Sequence, residues 1–439
     1  MPMDQTAPSG ALTLCGGHVI DPASGFSAHA DVFVYDGHIV SILPAGEQPA
    51  MGERVDVAGL LVCPGLVDMH VHLREPGQTH KETIATGTRA AVAGGFTTVC
   101  CMPNTTPALD RPERIRELRQ IVGRDAACRV EVIGSISLDN DPERFSEAVA
   151  LRAAGCVALT DDAFPLVTQE QRAEALRLCA IAGLPFIAHC EDKTLSAGGV
   201  MNEGQSSREL GVPGQSVEAE TANAREWLKL FALGAHLHLA HVSAAGTVEA
   251  LRAALPHWHG CLSAETAPHY FSLTDEAVLR AGPNAKMNPP LRAQLDRLAV
   301  REALVSGDLA VIATDHAPHS DGEKSTGLLQ APFGVIGLET ALAVSLTELY
   351  HSGLLGFPEL IARLSTNPAQ LLGLPGGGLT PGAVADLAII DPDAHWQVAS
   401  GAFHSLSRNT PFAGMTLRGR AWGTLVEGRF VYRDGELLA

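Results

Sequence analysis

The sequence predicts an α/β fold: a (β/α)8 barrel of the TIM type with a small β-sandwich domain built from both chain termini. From about residue 64, short apolar runs alternate with amphipathic stretches, and eight such runs can be counted. Before and after this region, period-two runs are separated by Gly and Asp-Gly turns, which is typical of antiparallel strands and hairpins. We therefore expect residues 1–63 and 375–439 to form the β-domain and residues 64–374 to form the barrel.

Each of the eight apolar runs is followed by room for a helix, as in the βα repeat of a barrel. Helix-like segments such as TQEQRAEALRLCAIAG and SVEAETANAREWLKLFALG lie between the runs. In chain order the runs occupy residues 65–72, 96–102, 129–136, 156–162, 184–190, 236–242, 260–266 and 308–315.

Composition limits the function classes. The chain has 439 residues, of which 46% are hydrophobic and 18% are charged, so a large core is available. The net charge of −18 disfavours nucleic acid or an anionic membrane as a partner, although an anionic small substrate stays open. No apolar stretch approaches the ~20 residues of a membrane span. The first ten residues do not resemble a signal peptide, so we expect a cytoplasmic protein.

The nine cysteines are scattered and form no CxxC pair. This pattern favours buried free thiols over a disulfide framework or a cysteine metal site.

Side chains that bind metals follow the ends of five of the eight runs. A single histidine at a strand end is more often a packed or surface residue, but the joint pattern favours a site, because barrel strands end at one common mouth. All are nitrogen or oxygen ligands suited to Zn²⁺ or a similar ion. They are His70, His72, Asp161, Asp162, His189, His241 and Asp315.

Four histidines and two carboxylates exceed what one tetrahedral site with an open position needs. They suit two ions that share a bridging carboxylate, with water or hydroxide as a second bridge. Such a pair lowers the pKa of the water and polarises a carbonyl, as hydrolysis of an unactivated amide requires. Asp315 could accept the proton of the attacking water and pass it to the leaving nitrogen.

The segment VDMHVHLREPG, residues 67–77, concentrates these polar groups. In an extended strand, alternate residues share a face. One face would then carry Asp68, His70, His72 and Arg74. The other would carry Met69, Val71 and Leu73.

Several motifs along nearly the whole chain resemble those of type I dihydroorotases, in the amidohydrolase superfamily. They are DMHVHLREPG, MPNTTP, AHCED, KMNPPLR, ATDHAPH and APFG. The resemblance implies a reversible closure of N-carbamoyl-L-aspartate to L-dihydroorotate with loss of water, in pyrimidine biosynthesis.

The resemblance also implies a set of ligands for two Zn²⁺ ions. One ion would be held by His70, His72 and Asp315, and the other by His189 and His241.

Many relatives bridge the two ions with a carboxylated lysine at the end of strand four. Here that position reads LTDDAFP, without lysine, which resembles the dihydroorotase branch with an aspartate bridge. We expect Asp162 rather than Asp161 to be the bridge. The family usually has glycine after the two acids, whereas this chain has Ala163.

The resemblance further assigns substrate contacts, with Arg74 on the substrate carboxylate. On residue type alone, Asn104 and Asn288 are better explained as turn residues beside proline, whereas the motif match favours substrate contacts for both. The set is His72, Arg74, Asn104, Asn288, His319, Phe333 and Gly334. We expect Asp68, His236 and His238 to pack beside the ligands rather than bind metal. The segment 319–332 could be a mobile lid or a solvated loop.

Two other functions compete. An allantoinase or dihydropyrimidinase would share the fold and histidines, but these enzymes typically use the modified lysine. A non-catalytic scaffold homologue is disfavoured because all ligand positions are filled. The sequence leaves open whether the chain forms a homodimer or associates with aspartate transcarbamoylase, as some relatives do.

Overall fold

The chain folds into a parallel barrel and a terminal β-sheet, which confirms the predicted fold class. The computed structural model describes residues 10–48 and 52–438. The barrel comprises eight hydrogen-bonded parallel strands in sequence order, one from each predicted run. These strands are Leu66–Val71, Phe96–Cys101, Arg129–Ser135, Cys156–Thr160, Phe186–Ala188, Leu237–Leu239, Leu262–Thr266 and Val311–Ile312.

The terminal sheet contains strands from both ends of the described chain. The N-terminal strands are Ala11–Asp21, Phe26–Tyr35, His38–Pro44, Glu53–Asp56 and Leu61–Pro64. The C-terminal strands are Leu387–Gln397, Thr416–Val426, Arg429–Arg433 and Glu436–Leu437. The two groups join where Leu61–Pro64 pairs antiparallel with Leu387–Gln397. The predicted joining of the termini is therefore confirmed, whereas the boundaries after residues 63 and 374 stay a prediction.

Helices follow the barrel strands and cover their outer side. The helix Gln169–Ala182 shows how the sequence defines such an element. The Thr168 hydroxyl accepts from the Gln171 backbone, Gln171 caps in return, and Gly183 ends the helix in a left-handed conformation, as expected for a capping box and a glycine C-cap. The α-helices are Ile84–Ala93, Pro112–Asp125, Ala148–Ala154, Gln169–Ala182, Gln205–Leu210, Glu218–Leu228, Ala245–Ala254, Pro268–Ser272, Ala277–Ala281, Gln294–Ser306, Asp321–Lys324, Ala341–Ser345, Phe357–Ile361 and Asn367–Leu372.

The barrel closes between its first and last strands. Val71 forms a parallel bridge with His316, and the backbone N–H of His72 donates to the His316 carbonyl at 2.8 Å. The last regular strand, Val311–Ile312, is shorter than the predicted run 308–315. Asp315 has a positive φ of 48°, so the backbone leaves the strand conformation before the residues that close the barrel.

The predicted alternation in the first strand is wrong at two points. The pairing register of this strand with its neighbour shifts between Asp68 and Val71, so side chains no longer alternate strictly. Met69 consequently packs in the barrel interior with residues such as Ile187, whereas Val71 packs in the large cluster that includes the covering helices. Arg74 lies beyond the strand with φ of 60° and therefore belongs to neither strand face.

Across the described ranges, every helix is too short or too polar to cross a lipid bilayer.

Candidate metal centre and active site

Four imidazoles surround the carboxylate of Asp162 at the mouth of the barrel. One Asp162 oxygen, Oδ1, lies 3.7 Å from His70 Nε2, 3.4 Å from His189 Nδ1 and 4.0 Å from His241 Nε2. The other oxygen, Oδ2, lies 3.8 Å from His72 Nε2. All five side chains are buried. The structure therefore brings together residues from four different strand ends around one anionic group.

Asp315 completes this cluster on the side of the first strand. Its Oδ1 lies 3.3 Å from His72 Nε2 and 3.6 Å from His70 Nε2. Burial raises the pKa of the Asp315 carboxyl, but the hydrogen bond from His72 and the charge of His70 outweigh burial and lower it. Asp315 is thus an ionised carboxylate at neutral pH.

The donor set fits divalent metal ions. His70, His72 and Asp162 form one group of potential ligands, and Asp162, His189 and His241 form another; within each group the ligand atoms lie within 4.8 Å of one another. Among the described residues, the buried Nε2 of His70 has no hydrogen-bond partner, although it points toward two carboxylates. A buried polar nitrogen without a partner is costly, and a cation between it and the carboxylates would satisfy it.

The two neighbouring aspartates after strand four, Asp161 and Asp162, have different partners. Asp161 accepts backbone N–H bonds from Leu166 and His189, each at 2.9 Å. Its carboxylate therefore holds the loop after strand four against strand five, while the Asp162 carboxylate faces the histidines. Ala163, which follows them, has a positive φ of 63°. This conformation explains why glycine suits the position, because a Cβ is disfavoured there.

Two buried glutamates that sequence reasoning missed orient the histidines. Glu265 Oε1 lies 2.6 Å from His70 Nδ1, and Glu191 Oε2 lies 3.0 Å from His189 Nε2. A carboxylate behind a histidine fixes which ring nitrogen faces a metal. Glu265 is the last but one residue of the seventh strand and Glu191 follows His189 by two residues, so the same rule of strand ends could have found both.

A chain of polar groups continues from Glu265 into the barrel interior. Glu265 Oε2 lies 3.3 Å from His238 Nε2, and His238 Nδ1 lies 2.7 Å from the Ser263 hydroxyl. The same hydroxyl lies 2.8 Å from His236 Nε2. His236 and His238 therefore stand behind the candidate ligands, where the sequence prediction placed them.

Arg74 lies beside the cluster in a buried setting of its own. Its Nε donates to the Pro318 carbonyl at 3.2 Å, and its Nη2 lies 3.3 Å from His319 Nε2. Burial lowers the pKa of Arg74 to about 10, with Asp315 and Asp162 opposing that shift. The guanidinium therefore keeps its charge at neutral pH and offers a buried cation to an anionic ligand.

The two asparagines of the predicted substrate set contact other site residues. Asn104 Oδ1 lies 2.8 Å from His72 Nδ1, and Asn104 Nδ2 donates to Asp162 Oδ2 at 2.9 Å. Asn288 Nδ2 donates to Glu191 Oε2 at 2.9 Å. Both side chains thus lie within the site and hold candidate ligands or their supporting carboxylate.

The predicted backbone contacts at Phe333 and Gly334 lie on the Arg74 side of the mouth. The Phe333 carbonyl is 2.8 Å from His319 Nε2, and Gly334 N donates to the Lys286 carbonyl at 2.9 Å. Gly334 has φ of 137°, and a Cβ there would come within 2.6 Å of the Ala317 carbonyl. Glycine is therefore required for this close approach of the two loops.

The segment 319–332 is tied to neighbouring loops by several polar contacts rather than uniformly solvated. It contains the short helix Asp321–Lys324. The buried ammonium of Lys324 donates to the carbonyls of Pro283, Lys286 and Pro332 at 3.0, 3.2 and 2.8 Å.

The barrel, the terminal sheet and the cluster of histidines and carboxylates at the barrel mouth are those of an amidohydrolase. The fold resembles the L-hydantoinase of Arthrobacter aurescens, with a TM-score of 0.87, 25% identity and coverage of 98% of this chain and 97% of that one. It also resembles the dihydropyrimidinase of Brevibacillus agri, with a TM-score of 0.85, 24% identity and coverage of 98% and 96%.

Sequence comparison narrows this class. A family model described as Dihydro-orotase-like matches residues 59–247. The dihydroorotase of Pelotomaculum thermopropionicum is 46% identical over 96% of this chain and 99% of its own length. The dihydroorotase of Geobacter metallireducens is 43% identical over the same shares. The chain belongs to the dihydroorotase family.

The strained Ala163 gives a direct test of the loop geometry. We expect Ala163→Gly to raise the free energy of unfolding by up to about 1 kcal/mol, because relief of a left-handed non-glycine residue exceeds the entropy cost of glycine. Chemical denaturation with matched activity assays measures this change. Ala126→Gly, at a helix C-cap with φ of −78°, is the control and should lower stability. A loss of stability in Ala163→Gly would contradict the strain assignment.

Proposed function

We propose that this chain is a zinc-dependent dihydroorotase that interconverts L-dihydroorotate and N-carbamoyl-L-aspartate. The observation that carries the proposal is the family match at 43–46% identity over nearly the whole chain. The site agrees with that reaction, because a buried guanidinium stands beside a cluster of histidines and carboxylates. Dihydroorotate needs both features: its ring amide is attacked, and its carboxylate needs a cation.

Two zinc ions would be held by the residues that surround Asp162, with Asp162 between them. His70, His72 and Asp315 would bind one ion, and His189 and His241 the other. When bound, such a pair lowers the pKa of water and polarises the amide carbonyl. The unpartnered Nε2 of His70 and the two ligand groups that share Asp162 support this arrangement.

Asp315 would act as the acid and base. Its depressed pKa keeps the carboxylate ionised, so it can take a proton from the attacking water. As oxygen bonds to the ring carbonyl carbon and the C–N bond breaks, Asp315 returns that proton to the departing nitrogen. In the cyclisation direction the same carboxylate takes the nitrogen proton and gives it to the departing water.

Arg74 would bind the carboxylate of the substrate, and His319 stands beside it. The guanidinium fork matches a carboxylate, and Pro318 holds the Nε side of the fork in place. His72, Asn104, Asn288 and the Phe333–Gly334 backbone would line the remaining ring contacts. Hydantoin and dihydrouracil carry no such carboxylate, so the buried arginine favours dihydroorotate over the substrates named for the structural neighbours.

The function is tested by assaying one preparation for dihydroorotate hydrolysis and for bound metal. We expect turnover of dihydroorotate, loss of turnover after chelation and recovery with zinc. Hydantoin and allantoin serve as controls that should react poorly. Turnover of either control without turnover of dihydroorotate would replace the proposed substrate. A protein that binds no metal and stays inactive with added zinc would support a scaffold role.

The role of Asp315 is tested with Asp315→Asn. We expect kcat to fall by about 10²- to 10⁴-fold, because general acid–base catalysis contributes on this scale. The amide retains an oxygen in the same place, so metal content and melting temperature serve as controls for folding and metal loading. Activity within a few-fold of the unmodified protein would remove Asp315 from proton transfer.

The role of Arg74 is tested by comparing Arg74→Ala with Arg74→Lys. Alanine removes a charge-assisted pair, so we expect KM for dihydroorotate to rise by about 10- to 100-fold with a smaller change in kcat. Lysine keeps the charge but not the fork and should give an intermediate KM. Steady-state kinetics measure both values, and an unchanged KM in Arg74→Ala would argue against the carboxylate contact.

A further inference from the structure

The C-terminal segment 404–409 crosses back from the terminal sheet to the barrel mouth. Its backbone is fixed by carboxylates of the barrel loops. Glu339 accepts the N–H groups of His404 and Ser405 at 2.9 and 3.1 Å, and Glu82 accepts the N–H of Leu406 at 3.0 Å. The segment is thus part of the wall of the site, although it lies more than ninety residues beyond the last strand of the barrel.

The segment ends in Asn409, a residue that is 1% exposed and whose side chain joins two loops. Its Oδ1 accepts the backbone N–H of His319 at 3.1 Å. Its Nδ2 donates to the carbonyls of Ala317 and Gly334 at 3.2 and 3.0 Å. Its backbone carbonyl accepts the N–H of Ile336 at 2.9 Å.

This bonding pattern requires a carboxamide. The Oδ1 accepts one backbone N–H and the Nδ2 donates to two carbonyls, so the orientation of the amide is defined. An aspartate of the same shape would keep the acceptor but place a carboxylate oxygen against two carbonyl oxygens. A shorter side chain would reach neither loop and leave buried carbonyls without a donor.

The two loops that Asn409 joins carry the groups around Arg74. The turn 317–319 supplies the Pro318 carbonyl that accepts from Arg74 Nε. It also supplies His319, whose Nε2 lies 3.3 Å from Arg74 Nη2 and 2.8 Å from the Phe333 carbonyl. The position of the guanidinium therefore depends on how the turn and the Phe333–Gly334 loop are held together.

We propose that Asn409 is the positioning residue of the substrate-carboxylate pocket, acting through the 317–319 turn and the Phe333–Gly334 loop on Arg74 and His319. This inference rests on the proposed function, because it gives Arg74 the substrate carboxylate. Asn409 itself does not touch the reacting atoms. Its loss should weaken substrate binding while the metal ligands and Asp315 keep their places.

The test is Asn409→Asp in the full-length, zinc-loaded protein. We expect KM for dihydroorotate to rise about tenfold, equivalent to about 1.4 kcal/mol, with kcat and zinc content changing less than about threefold. The matched control is Asn367→Asp, because Asn367 Nδ2 donates to the Ala310 carbonyl at 2.7 Å before the last barrel strand. The control should change the melting temperature without changing KM.

A double-mutant cycle with Arg74→Ala separates a positioning role from general destabilisation. If Asn409 acts through Arg74, the effects of the two substitutions on KM should be clearly less than additive. Additive effects, an unchanged KM, or an equal fall in kcat and kcat/KM would overturn the inference. If Asn409→Asp does not fold, Asn409→Ser replaces it in the KM measurement and in the cycle with Arg74→Ala. An unmodified protein that does not hydrolyse dihydroorotate would reject the proposed function instead.

Discussion

The site depends on closure of the barrel between its first and last strands. Strand pairing alone makes a weak seam there, because the last regular strand is only Val311–Ile312. Asp68 strengthens the seam: its Oδ1 accepts the backbone N–H groups of His70 and Thr314, both at 3.1 Å. Burial raises the pKa of Asp68 to about 7, and the bonds from Thr314 and His70 oppose that rise. The Asp68 carboxylate thus joins the backbone of His70 in the first strand to that of Thr314, the residue before Asp315.

The second constraint on the site is the pairing of the buried charged and polar groups at the barrel mouth. Burying several imidazoles and carboxylates in one place is costly unless each polar group is paired. Asp161 pairs with backbone, Glu265 and Glu191 pair with the outer nitrogens of two histidines, and Asn104 bonds to both His72 and Asp162. At the centre of the cluster, among the described residues, His70 Nε2 has no hydrogen-bond partner. It faces the carboxylates of Asp162 and Asp315, so the inner face of the cluster is where a cation would pair this nitrogen.

The sequence predicted the fold class and the residues that meet at the mouth, because strand ends of a parallel barrel share one edge. It placed His189 and Asp315 together although 126 residues separate them. It failed where local geometry departs from a regular strand: the register shift in the first strand separates Met69 from Val71, and Arg74 lies in a left-handed conformation beyond that strand. Asn409 was missed for another reason. Asn409 lies outside any helix or strand, so it contributes to no hydrophobic periodicity. Its hydrogen-bond partners, His319, Ala317 and Gly334, are distant from it in the sequence.

The terminal sheet also contacts the barrel elements that carry the candidate site. Pairing of Leu61–Pro64 with Leu387–Gln397 places the start of the first barrel strand and the C-terminal region side by side. The Gly65 N–H donates to the Asp386 carbonyl at 2.9 Å, so the sheet runs directly into the strand that carries His70 and His72. The same C-terminal region then sends segment 404–409 over the mouth, where Glu82 links it to His316, the residue after Asp315. The terminal sheet and segment 404–409 thus contact both sides of the barrel seam: the start of the strand that carries His70 and His72 and, through Glu82, the residue after Asp315.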